Sequence, residues 1–197
     1  MKSQLKEGLV QVYTGSGKGK TTAALGLALR ALGHGFQVKI IQFLKGSSYA
    51  GEFLAAQRLF PQLSFTQFGR GCPYSALIRQ GQRECSGCGE CFIKNRKPLP
   101  EDYQMAAIAM AEAEQAITGD RWDVVILDEI GNAFRYGLVE PDAVVSLIEK
   151  KPPTVELVLT GRGMPRQVID AADLVTEMQA VKHPWEKGIR SRRGIEY

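Results

Sequence analysis

Short apolar runs rich in β-branched residues alternate along this chain with longer stretches whose apolar positions recur at helical spacing. The runs at residues 9–14, 38–43, 63–68, 124–127 and 155–160, with a sixth at 174–177, predict strands. The spaced patterns predict helices at 20–32, 52–59, 101–118, 141–150 and 165–171. Strands and helices taking turns in this way imply strand–helix–strand units, and so an α/β fold whose central sheet is mostly parallel and flanked by helices on both faces. No internal repeat or low-complexity segment interrupts the pattern.

Length and composition narrow this to one body. With 197 residues, 44% of them hydrophobic, the chain supplies one α/β core and too little for two. A single domain over 1–197 is expected, with 69–97 as a cysteine-containing loop insertion. No stretch approaches the ~18–20 apolar residues of a membrane span. Residues 1–7 lack the apolar region of a signal peptide, so a cytoplasmic protein with no membrane partner is expected. The net charge of +4 draws on Lys182, Lys187, Arg190, Arg192 and Arg193 near the end. With no helix-turn-helix, zinc-finger or RNA-binding aromatic signature beside it, that tail reads as a solvated terminus or a set of phosphate contacts, and no nucleic-acid partner is expected.

The first strand opens onto chemistry. Val10-Gln11-Val12-Tyr13-Thr14 runs into Gly15-Ser16-Gly17-Lys18-Gly19-Lys20-Thr21-Thr22, and Ala23, Ala24, Leu27, Ala28, Ala31 and Leu32 follow at helical spacing. Glycines let the backbone N–H groups of such a loop point at phosphate oxygens, a lysine reaches the outer phosphates, and a threonine hydroxyl can ligate Mg²⁺. The positive end of the following helix aims at the same anion. Gly15 through Thr22, with Lys20 and Thr21 at its centre, is therefore the predicted ATP cradle of a P-loop NTPase-like fold. The loop is a variant, because Thr14 stands where the common pattern has glycine and Lys18 is added. Lys18 either touches phosphate or faces solvent.

Ligands of open α/β sheets collect at the carboxyl ends of the strands, and those positions are rich here. Val124-Val125-Ile126-Leu127 ends in Asp128-Glu129, two carboxylates placed to hold Mg²⁺ beside phosphates. Asp128 is the metal-side acid, and Glu129 either helps hold the metal or orients a water. Arg162 lies between Gly161 and Gly163, where its guanidinium can grip phosphate oxygens in two places or stand as a surface turn arginine. The four cysteines are confined to Cys72 and Cys85-Ser86-Gly87-Cys88-Gly89-Glu90-Cys91. Their repeated two-residue spacing suits an iron–sulfur cluster with Cys72 as fourth ligand, four thiolates also suit zinc, and reduced thiols without metal are the third reading. These residues alone leave open a generic P-loop ATPase or kinase, and a metal-cluster module that binds ATP as a regulatory ligand.

The wording and order of the chain resemble the P-loop type ATP:corrinoid adenosyltransferases from about residue 9 onward. The pieces that carry this are Thr14-Gly15-Ser16-Gly17-Lys18-Gly19-Lys20-Thr21-Thr22-Ala23-Ala24, Gln42-Phe43-Leu44-Lys45-Gly46, Val125-Ile126-Leu127-Asp128-Glu129, Thr160-Gly161-Arg162-Gly163, Ala172-Asp173-Leu174-Val175-Thr176-Glu177, and the close from Val181-Lys182-His183 to Gly194-Ile195-Glu196-Tyr197. The odd first position and the added lysine of the loop are themselves typical of that family. The resemblance implies transfer of the 5′-deoxyadenosyl group of ATP to cob(I)alamin, or to a cobinamide or cobyrinic acid derivative, with release of triphosphate. It implies Mg²⁺, a corrinoid substrate and a homodimer, and a basic surface fits an acidic flavoprotein electron donor. Lys20 and Arg162 become the catalytic pair. Relatives pack aromatics against the corrinoid after the third strand, where this chain offers Phe68 and Tyr74 before the cysteine stretch.

Overall fold

The computed structural model describes residues 5–93, 97–189 and 191–197. Its strands are β1 (Val10–Thr14), β2 (Val38–Phe43), β3 (Leu63–Phe68), β4 (Val124–Asp128), β5 (Glu156–Thr160) and β6 (Leu174–Glu177). They form one six-stranded sheet in the order β3-β2-β4-β5-β1-β6. Every pairing is parallel, for example Val12 beside Leu159 and Ile40 beside Ile126.

The helices are α1 (Lys20–Gly33), α2 (Gly51–Arg58), α3 (Ser75–Arg79), α4 (Pro100–Thr118), α5 (Ile130–Arg135), α6 (Pro141–Lys150) and α7 (Arg166–Asp170). Successive strand residues point to opposite faces, and each face has its own cover. Val10, Val12, Ile41, Phe43, Val125, Leu127, Leu157 and Leu159 form one core with the alanine stripe of α4 and with Ile130, Val144, Leu147 and Val168 of α5 to α7. Ile40, Val124, Ile126 and Val158 meet Ala24, Ala28 and Ala31 of α1 and Ala56 of α2 on the other face. The small side chains bring α1 and α4 close to the sheet, and each fully buried Leu or Ile beneath them contributes about 1.5–3 kcal/mol.

The expected strands and helices are present with ends shifted by a residue or so. Two short helices, α3 and α5, were not expected. Strand β4 also runs one residue further, to Asp128, because Asp128 still pairs with Gln42 of β2 in the parallel ladder. Strand β2 buries two polar residues that its apolar neighbours conceal in the sequence. Lys39 pairs with Glu112 of α4 and donates to Ser64 Oγ at 3.0 Å, and Gln42 is wholly enclosed.

Among the described residues no helix is long and apolar enough to cross a membrane. The basic end of the chain is partly tied down. Arg192 pairs with Glu196 at 3.0 Å, whereas Arg190 lies outside the described residues.

Candidate active site

Strand β1 stops where the glycine loop begins, and the loop delivers the chain to α1 in five residues, 15–19. Gly15 and Gly19 are left-handed, with φ of 97° and 113°. The Gly17 N–H donates to the Met178 carbonyl at 2.7 Å and the Met178 N–H to the Thr14 carbonyl at 2.9 Å, so the loop rests on the chain leaving β6. The first turn of α1 has no acidic residue and no side-chain cap, so its unpaired N–H groups keep their full positive character.

Lys20 lies inside this loop, 7% exposed. Its ammonium donates to the carbonyls of Gly15 at 3.0 Å and Gly17 at 2.6 Å. Burial, then repulsion from Arg162, lowers its pKa, while Glu129 and Asp128 pull the other way.

Asp128 ends β4 almost completely buried. One carboxylate oxygen accepts from Thr21 Oγ1 at 2.8 Å and from Thr160 Oγ1 at 2.6 Å. The other accepts from Gln42 Nε2 at 2.8 Å, and Gln42 in turn accepts from Gln67 Nε2 at 2.8 Å. A relay across β3, β2 and β4, completed by the last residue of β5, thus fixes this carboxylate beside Thr21 in the first turn of α1.

Glu129 leaves the strand at φ 61°, a backbone conformation that costs about 1–3 kcal/mol in a non-glycine residue and collects at functional sites. Its N–H donates to Thr160 Oγ1 at 3.0 Å, and Asn132 Nδ2 donates to its carboxylate at 2.5 Å. Burial, then the Asp128 charge, raises its pKa, against Lys45, Lys20 and Arg162. Lys45, from the loop after β2, therefore joins the site, although its strand-end position alone assigned it no role. Gln42, Gln67, Thr160 and Met178 join it too, and only their place at or next to strand ends hinted at that.

Arg162 is exposed on the turn after β5, within electrostatic range of Lys20 and Glu129. The turn is pressed against the start of α5: a Cβ on Gly161, whose φ is 144°, would lie 2.4 Å from the Gly131 nitrogen. Lys18 stands apart from Lys20 and pairs with Glu196 at 2.7 Å, tying the loop to the C-terminal end. Ser16 is exposed at the loop's tip and Thr22 follows Thr21 into α1.

Phe68 is half-buried against the larger core and lines a cavity of about 10 Å³ with Phe43, Leu44 and Leu138 among others, room for a water at most. Tyr74 carries the Arg83 guanidinium 3.5 Å above its ring. Cys72, Cys85 and Cys91 are half-buried, Cys88 is exposed, and all four are free thiols. Among the described residues no group of three or more His, Cys, Asp or Glu side chains is arranged to hold a metal ion.

Parallel sheet, glycine loop, buried lysine and acidic strand end together define a P-loop nucleotide-binding protein. The flagellar accessory protein FlaH from Methanocaldococcus jannaschii has a similar fold, with a TM-score of 0.50 over 88% of this chain and 72% of that one. At 12% identity the likeness concerns the fold alone. The chain belongs to the ATP:corrinoid adenosyltransferase family BtuR/CobO/CobP, whose family model matches residues 6–197, as the sequence pieces implied. It is 36% identical to a corrinoid adenosyltransferase from Sinorhizobium sp over 98% of this chain and 81% of that one. It is 33% identical to one from Pseudomonas aeruginosa, over 98% and 85% of the two chains. It is 31% identical to one from Salmonella typhimurium, over 99% and 88%.

Proposed function

We propose that this protein transfers the 5′-deoxyadenosyl group of ATP to the cobalt of a reduced corrinoid, either cob(I)alamin or a cobinamide or cobyrinic acid derivative. The observation that carries the reading is the meeting of the glycine loop with the buttressed Asp128 in a chain of this family. In the reaction the electron pair of Co(I) attacks C5′ of ATP. A cobalt–carbon bond forms, the C5′–oxygen bond breaks, and its electron pair leaves on triphosphate. No proton moves, so no general base is required.

The protein's work is then to hold C5′ in line with cobalt and to stabilise charge on the departing triphosphate. Backbone N–H groups from Gly15 to Thr22, with Ser16 and Lys18 at the rim, cradle the phosphates. Lys20 exchanges its carbonyl partners for phosphate oxygens, and Arg162, flanked by glycines, closes on them from the β5 side. The Thr21 hydroxyl and Asp128, with Glu129 beside them, match the few protein oxygens that Mg²⁺ uses when phosphate oxygens and water complete its shell. Bound there, Mg²⁺ would neutralise phosphate charge as it develops.

Phe68 and Tyr74 are the aromatic candidates at the corrinoid side. The chain acts as one domain, and the corrinoid's reduced state suits a cytoplasmic setting and a flavoprotein electron donor. A second copy of the chain is the partner implied by resemblance, and the edge strand β6 leaves Leu174 and Val175 41% and 43% exposed.

The roles of Lys20 and Arg162 separate by experiment. Lys20→Ala is expected to weaken ATP binding and abolish transfer. Arg162→Ala is expected to lower kcat by about 10²–10³-fold, the range for removing one donor to a developing anion, with smaller loss of ATP affinity. Transfer at the wild-type rate by both variants would remove the phosphates from this loop.

A further inference from the structure

The two lysines of the phosphate loop are held in opposite ways. Lys20 lies inside the cradle and gives its ammonium to two neutral carbonyls, partners that phosphate oxygens can replace without separating opposite charges. Lys18 stands on the rim between Gly17 and Gly19, and its ammonium donates to the Glu196 carboxylate at 2.7 Å. A phosphate can gain Lys18 only by taking it from that anion.

Glu196 is itself firmly held. Its carboxylate accepts from the Arg192 N–H at 2.7 Å, from Nε at 3.2 Å and from Nη2 at 3.0 Å, and its own N–H returns to the Arg192 carbonyl at 2.9 Å. The Gly194 N–H closes the same turn on the Tyr197 carbonyl at 2.7 Å. The hydrogen bonds from Arg192, then the one from Lys18, keep the carboxyl far below the usual carboxylate range, so it is ionised at neutral pH.

The far side of this turn is anchored without Lys18. The Tyr197 ring packs edge to face on Tyr49 at 5.3 Å, the Cys85 N–H lies 3.4 Å from the Tyr197 hydroxyl, and Arg193 Nη2 donates to the Arg79 carbonyl at 3.5 Å. Tyr49 belongs to the loop after β2 and Arg79 ends α3, which follows β3. Residues 192–197 therefore join the phosphate loop, which follows β1, to segments that leave the opposite side of the sheet. The turn stays seated if Lys18 departs, and the Lys18 side chain, 46% exposed, has room to move.

We infer that residues 192–197 are a strap that restrains the phosphate loop: Glu196 holds Lys18 off the cradle in the empty protein, and an incoming triphosphate must draw the ammonium away while Arg192 keeps the carboxylate. Glu196 is thus a positioning residue, and its effect is to lower the affinity of the loop for phosphates. The inference rests on residues 15–22 being the ATP cradle. The same competition acts on the triphosphate product, which carries at least the charge of ATP, so recapture of Lys18 by Glu196 favours its departure.

Calorimetric titration of the full chain with ATP and with inorganic triphosphate, each with Mg²⁺ and without corrinoid, tests this. Glu196→Gln keeps the size of the side chain and should bind both about 2–5-fold more tightly than wild type, the weight of an exposed ion pair. The gain should shrink as added salt screens the pair, and it should vanish in a Lys18→Met background. Tyr197→Ala, which frees the far anchor but leaves both charges, should show a smaller gain of the same sign. Equal or weaker binding by Glu196→Gln and Tyr197→Ala overturns the strap. A Glu196→Gln gain of the same size without Lys18 also overturns it, since that is plain repulsion from the carboxylate. No corrinoid takes part, so failure here in a wild-type protein that binds ATP leaves the adenosyl-transfer reading untouched, and a cobalamin left unalkylated would not alter these affinities.

Discussion

Replacing Thr160 with valine keeps the shape of the side chain and removes one oxygen from the centre of the site. That hydroxyl is fully buried, donates to Asp128 at 2.6 Å and accepts the Glu129 N–H at 3.0 Å. Losing a hydrogen bond to a charged group costs about 1.5–3 kcal/mol, and stranding a buried N–H costs about 1–3 kcal/mol. The two losses share one atom and are offset by about 0.8 kcal/mol for the extra buried methyl, giving a net cost of about 2–4 kcal/mol. For a chain of this size each kcal/mol lowers Tm by about 2–4 °C, so Thr160→Val should melt roughly 5–15 °C below wild type. Asp128 keeps Thr21 and Gln42 but loses its fixed orientation, which should weaken Mg²⁺-dependent ATP binding by about 10–100-fold, the usual effect of removing a partner that orients a ligand. Melting curves and calorimetric ATP titrations with and without Mg²⁺ read both effects, and Thr160→Ser should restore them. A Thr160→Val protein with unchanged Tm and unchanged Mg²⁺ dependence would refute the claim that this hydroxyl organises the acidic strand end.

Other substitutions probe different contacts. Gly161→Ala places a methyl 2.4 Å from the Gly131 nitrogen and should cost about 2–4 kcal/mol in chemical denaturation, with loss of transfer because the Arg162 turn is forced off α5. Asp102, 4% exposed at the start of α4, accepts from Arg70 Nε at 2.9 Å and from the Leu99 N–H at 2.7 Å. Burial alone would raise its pKa, and the Arg70 and Leu99 hydrogen bonds outweigh it, holding the carboxyl below its ordinary 3.8. Its contribution to stability is therefore complete above that ordinary value and lost as pH falls through the lower folded one. Asp102→Asn should be less stable by about 1–3 kcal/mol near neutrality and show a shallower decline in Tm below about pH 4; a decline as steep as wild type would contradict this.

The parts of the molecule legible in the sequence are those whose signal is local. The glycine loop, the runs that became β1 to β6 and the helical pattern that became α4 follow from spacing within a few residues. Helices α3 and α5 escaped because five or six residues hold too little period to register, and α5 starts directly after the left-handed Glu129. Gln42 and Lys39 hid within an apolar run, since what makes their burial tolerable is a partner on another element: Asp128 and Gln67 for one, Glu112 and Ser64 for the other. Thr160 and Lys45 were visible as strand-end residues, but their roles depend on which strands the sheet makes neighbours. Lys18 illustrates the same limit, because its ion pair with Glu196 spans nearly the whole chain. Spacing placed Asp128 and Arg162 in the site for a simpler reason: parallel strands deliver all their carboxyl ends to one edge.

The central claim is adenosyl transfer, and one anaerobic, dark incubation of the protein with ATP, Mg²⁺ and chemically reduced cobalamin tests it most directly. The account predicts a light-sensitive cobalt–carbon product and triphosphate in equal amounts, neither of them formed by Lys20→Ala. ADP and phosphate appearing while the cobalamin stays unalkylated would contradict it and return the chain to simple ATP hydrolysis.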